Sequence, residues 1–74
     1  MNYDAEINVA QLPCPIPVMR THSKLKSMEP GVLKIIGISC DLSKYIKEAC
    51  ATDMFTLLEK TSEGMYRIYY VEKH

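Results

Sequence analysis

The stretch Gln11-Leu12-Pro13-Cys14-Pro15-Ile16-Pro17-Val18 decides how the first half of the chain folds. Before it, Tyr3, Ala5, Ile7 and Val9 alternate with Asp4, Glu6 and Asn8. That period of two reads as a half-buried strand, and Gln11-Leu12-Pro13 breaks it. After it, the spacing becomes helical. Val18, Thr21, His22, Leu25 and Met28 share one stripe, and Arg20, Lys24 and Ser27 share another. Pro15 suits the first helical position because its φ is already helical and its absent N–H has no partner to lose. Pro17 still falls within the first turn, where N–H groups are unpaired anyway. Glu29-Pro30-Gly31 supplies the stop.

Further along, Val32 to Ile38 is apolar and β-branched and reads as a buried strand. A second helix is expected from about Leu42 to Thr52, with Asp41 as its N-cap and Leu42, Tyr45, Ile46, Ala49 and Cys50 facing the core. Met54–Lys60 and Met65–Val71 read as strands joined by a turn at Thr61-Ser62-Glu63-Gly64. The order β-α-β-α-β-β, in a chain of 74 residues, predicts a single domain over residues 1–74. Its fold class is α/β (α+β): a two-layer sandwich with a four-stranded mixed sheet and two helices on one face. A right-handed crossover makes the first two strands parallel neighbours. The segments after them, holding Cys14 and Cys40, then meet at one end of the sheet, where α/β proteins tend to place their sites. Cys50, late in the second helix, belongs near the opposite end.

Composition narrows the function classes. Nine basic and nine acidic residues cancel, so the surplus that phosphate backbones demand is missing. Direct nucleic-acid binding is disfavoured on that ground. No apolar run approaches the roughly 20 residues a spanning helix needs. The polar start Met1-Asn2-Tyr3-Asp4 carries no signal-peptide pattern. Three cysteines make a poor disulfide framework. The expectation is a cytoplasmic protein with free thiols, not itself membrane-spanning. Cys14, Cys40 and the histidines lack metal-ligand spacing, and neither metal nor cofactor is expected. So small a chain suits presenting a reactive group to a larger partner better than enclosing a substrate.

Cys14 is the candidate for that group. At the N-cap of a proline-stiffened helix it would face free N–H groups and the positive end of the helix dipole. Free cysteine has a pKa of about 8.5, and helix N-termini lower it. The thiolate is the nucleophile and the species that accepts sulfur; a persulfide anion gains from the same field. Pro13 and Pro15 keep the flanking backbone extended.

Cys14-Pro15-Ile16-Pro17-Val18-Met19, then a helix, then Met28-Glu29-Pro30-Gly31, resembles the TusA/SirA sulfur-carrier family. The resemblance covers nearly the whole chain, in motif position and in element order. It implies a cytoplasmic sulfurtransferase in the broad sense, a relay that need not turn over alone. Such a protein takes sulfur as a persulfide on Cys14 from a desulfurase or rhodanese and passes it to an acceptor. Cys40, just after the second strand, resembles the YeeD (TsuB) branch, which implies thiosulfate-derived sulfur beside a YeeE-type transporter. A DsrE-type partner is another implied route. Departures exist: Ile7-Asn8-Val9-Ala10-Gln11-Leu12 lacks the family's Asp and Gly before the cysteine, and the usual basic pair of the first helix falls near His22 and Ser23. These differences point away from a tRNA-relay carrier.

Other side chains carry weaker signals. Cys40 reads equally as a second sulfur-handling thiol or a small strand-capping residue. Cys50 lies on the apolar stripe and reads as core packing. His22 stands two turns from Cys14, out of general-base reach, and reads as half-buried packing. His74 reads as a disordered terminus. Arg20, Lys24 and Lys26 suit docking of an acidic partner or an anion such as thiosulfate, or simply a solvated helix face. Tyr66, Tyr69 and Tyr70 read as sheet packing. Two other functions stay open: an RNA-binding module with an initiation-factor-like fold, and a thiol-redox regulator using Cys14 and Cys40.

Overall fold

The computed structural model describes residues 2–13, 16–38, 42–51 and 54–74. In chain order the elements are β1 (Ala5–Asn8), α1 (Ile16–Ser27), β2 (Gly31–Gly37), α2 (Leu42–Ala49), β3 (Phe55–Glu63) and β4 (Tyr66–Lys73). The strands form one mixed sheet in the order β1-β2-β4-β3. β1 runs parallel to β2, with Ile7 opposite Ile35, and β4 is antiparallel to both β2 and β3. The expected fold class and element order are those observed.

Strand position follows side-chain chemistry. β2 and β4 are the central strands, and they carry the buried residues Leu33, Ile35, Ile68, Tyr69 and Val71. β3, with Thr56, Glu59 and Lys60 exposed, takes an edge. One sheet face is turned to the helices. There Leu33, Ile35, Tyr69 and Val71 pack with Val9, Leu25, Leu42 and Ile46 in a single core. Each fully buried aliphatic side chain in it contributes about 1.5–3 kcal/mol. The other face is mixed. Lys34 pairs with Glu6 at 3.4 Å and lies 5.1 Å from the centre of the Tyr3 ring, which in turn sits 6.3 Å from Tyr70.

The helices are seated by specific contacts. In α1, Pro17, Thr21 and Leu25 are buried, one every four residues. Its C-terminus carries orphan carbonyls, and Lys73 Nζ donates to two of them, Lys26 at 3.1 Å and Met28 at 2.7 Å. The amphipathic α2 buries Leu42 and Ile46. Its start lies tight against the end of β2: a Cβ on Gly37 would come within 2.7 Å of Leu42 Cδ2.

Several boundaries differ from the expected ones. α2 ends at Ala49, not Thr52, and the chain tightens there through an Ala51 N–H to Glu48 carbonyl bond of 3.2 Å. Thr61, Ser62 and Glu63 continue β3, so the hairpin turn is only Gly64-Met65. Gly64 has φ of 62°, the positive value that the first position of a two-residue primed turn requires. Thr61 and Ser62, though common in turns, extend the strand here because Ser and Thr sit comfortably on an exposed edge. A register shift between Leu57 and Glu59 leaves Leu58 as the extra residue of a bulge. The Asp41 N-cap lies outside the described residues.

Candidate functional site

Parallel pairing of β1 and β2 means the chain leaves both strands at one end of the sheet. From that end it enters α1 in one case and α2 in the other. The antiparallel register, with Gly37 opposite Arg67 and Glu63 opposite Tyr66, brings the Gly64-Met65 turn to the same end. Residues Met65 and Tyr66 are exposed there. Their placement at this end follows from the sheet register and from no local pattern in the sequence.

The described flanks of the Cys-Pro-Ile-Pro motif are ordered as a strand-to-helix junction. The Leu12 N–H reaches the Val9 carbonyl at 3.2 Å, and the Ile16 N–H reaches the Pro13 carbonyl at 2.9 Å. Pro17 is buried in the first turn of α1, which makes it a packed support of the helix start. That turn holds no acidic side chain, while Lys24 and Lys26 occupy the last turn, so the charges follow the helix dipole. Cys14 and Pro15 lie outside the described residues, as does Cys40.

Cys50 falls at the other end. It follows α2, with its N–H on the Ile46 carbonyl at 2.9 Å, and packs partly buried against the core. Burial pushes its thiol pKa up, the opposite of what a sulfur nucleophile needs. His22 is exposed rather than half-buried. Its Nδ1 lies 3.0 Å from the Tyr45 hydroxyl, tying α1 to α2. His74 is bound, contrary to expectation: its N–H donates to the Met54 carbonyl at 2.9 Å and its Nε2 lies 2.6 Å from Thr56 Oγ1. Tyr69 is buried among the helices' contacts and Tyr70 is half-buried on the opposite face, so the two rings share no surface.

Arg20 and Lys24 border the same groove. With Ser23 and Ser27 of α1 they line an open groove of about 500 Å³, whose other wall is Ile7, Asn8, Val9 and Leu12. The stripe Arg20, Lys24, Ser27 is legible in the sequence; the strand edge facing it is not.

Residues 5–73 match the family model described as "Sulfurtransferase TusA". The chain belongs to the TusA family. Proteins named "Sulfur carrier protein TusA" are similar over almost its full length. The one from Pseudomonas aeruginosa is 31% identical over 71 residues, covering 95% of this chain and 90% of the relative. The one from Pseudomonas syringae pv. tomato is 28% identical over 74 residues, covering 99% and 88%. As a TusA-family member, this chain is a sulfur carrier, with donor and acceptor partners implied by that role. Among the described residues, no helix is long and apolar enough to cross a membrane.

Proposed function

We propose that this TusA-family chain, as a single domain of the reducing cytoplasm, carries sulfur as a persulfide on Cys14. The family match through residues 5–73 supports this most, since it spans Cys14-Pro15-Ile16-Pro17. The Cys14 thiolate attacks the terminal sulfur of a donor persulfide. A new S–S bond forms on Cys14, the donor's S–S bond breaks, and the donor leaves as its thiolate. An acceptor thiolate then takes the terminal sulfur and restores the Cys14 thiolate, so no external oxidant or reductant is consumed. With thiosulfate as donor, the same attack on its outer sulfur releases sulfite. The buried Pro17 and the carboxylate-free first turn of α1 favour an anion before the helix.

Cys40 is proposed as a second thiol near the site, supported by the parallel β1–β2 pair that brings both following segments to one end. It also motivates the thiosulfate-linked branch with a YeeE-type transporter. A desulfurase, rhodanese or DsrE-type protein is the alternative exchange partner, with Arg20 and Lys24 as basic docking residues.

The test incubates reduced protein with a persulfide donor or with thiosulfate and reads the intact mass. One added sulfur atom on the Cys14 peptide, absent in Cys14→Ser, is expected. Folded, reduced protein that gains no sulfur from either donor would sink the proposal. Loading by thiosulfate alone, with sulfite released, selects the thiosulfate branch. A Cys14–Cys40 disulfide as the sole product selects the redox reading instead.

A further inference from the structure

Among the described residues β1 is an outer strand, paired only with β2 in the order β1-β2-β4-β3. The Val9 N–H points inward to the Ile36 carbonyl at 2.8 Å. With Asn8 opposite Ile36, alternation along a parallel strand then turns the backbone groups of Glu6 and Asn8 toward the outer edge of the sheet. Beside that edge runs the groove whose far wall is Arg20, Ser23, Lys24 and Ser27, spaced as one stripe of α1. Its floor is apolar, from Ile7, Val9 and Leu12.

The charge in this groove has one sign. Arg20 and Lys24 line it and, among the described residues, no carboxylate does. The acidic residues of the neighbouring strand are engaged elsewhere: Glu6 pairs with Lys34 on the opposite sheet face, and Asp4 Oδ2 accepts the Val32 N–H at 2.8 Å. A free inorganic anion would use the two cations but leave the apolar floor and the strand edge unused. An extended peptide uses all three. Its backbone can pair with the strand edge, alternate apolar side chains can enter the floor, and carboxylates can meet the stripe.

We infer that the groove between β1 and α1 docks an acidic, extended segment of a protein partner as an added parallel or antiparallel strand. This rests on the sulfur-carrier reading only in supplying that reading with a partner. Leu12, at one end of the groove, stands two residues before Cys14, so the docked segment brings its own protein to the reacting region.

The experiment selects binders to the reduced chain from a phage-displayed library of random twelve-residue peptides, with no sulfur donor present. Enriched peptides are expected to alternate Asp or Glu with Val, Ile or Thr. On titration, amide shifts should concentrate at Glu6 and Asn8 and along α1. The double variant R20E/K24E should weaken binding at least tenfold, with the milder R20Q/K24Q intermediate and both folds checked by circular dichroism. No enrichment above background overturns the inference. So do shifts on the Tyr70 face, shifts on α1 with β1 unmoved as simple anion binding would give, or unchanged binding after charge reversal. Because the readout is peptide binding without sulfur, either proposal can fail while the other stands.

Discussion

Thr21 shows how one atom sets a measurable cost. It is fully buried in α1, and its Oγ1 has no hydrogen-bond partner among the described residues. A buried hydroxyl left unpaired costs about 1–3 kcal/mol. Valine has the same shape and nearly the same helix propensity. Thr21→Val should therefore stabilise the fold by about 1 kcal/mol in urea titration; a loss of stability would show that the hydroxyl is satisfied in solution. Cys50 gives a pH dependence. Burial raises its thiol pKa above the ordinary cysteine value. The unfolded thiol therefore loses its proton first as pH rises. The folded state's advantage is complete below that ordinary value and is lost as pH climbs through the raised one. Tyr45, raised by burial and by the neighbouring Cys50, acts in the same direction above its ordinary 10.0. The urea midpoint should fall on going from about pH 8 to pH 10, and fall less in Cys50→Ala. The sequence showed the apolar stripe holding Cys50. It did not show the Thr21 orphan, because satisfaction depends on neighbours that only packing supplies.

At the level of elements, the joints are more informative than the interiors. α1 closes on Lys73, a residue of the last strand, through bonds of 3.1 and 2.7 Å to the Lys26 and Met28 carbonyls. Lys73→Met keeps the length of the side chain and removes the donor. It should cost about 1 kcal/mol and speed amide exchange in the last turn of α1, with β2 unaffected. α2 closes on Gly37, where any Cβ meets Leu42 at 2.7 Å. Gly37→Ala should destabilise by about 1–3 kcal/mol and loosen the start of α2. An unchanged thermal midpoint would mean Leu42 has room to move. Helix and strand periods were legible along the chain. The ends were less so: Pro30 and Gly31 marked one stop correctly, while Thr61-Ser62-Glu63 resembled a turn and is strand. Local residue preference competes there with pairing to Ile68, Arg67 and Tyr66 across the ladder, and the ladder wins.

Across the whole molecule, the two ends of the sheet are chemically distinct. One gathers the segments after β1 and β2 and the Gly64-Met65 turn. The other holds Cys50, with its thiol pushed up by burial. Cys50→Ala should therefore load sulfur from a persulfide donor as fully as the parent chain, whereas Cys14→Ser should load none; mass spectrometry of both decides it. Equal loss in the two variants would place sulfur on Cys50 and refute the division. By itself the sequence determined the element order, the parallel first pair and the cysteine ahead of a proline-stiffened helix, because periodicity and proline chemistry act along the chain. Tertiary structure alone decided that β4 lies between β2 and β3, that Lys73 caps α1, and that Arg20 and Lys24 face the free edge of β1. Those contacts join residues far apart in sequence. They are selected by which strand must bury both faces, and no local pattern encodes that choice.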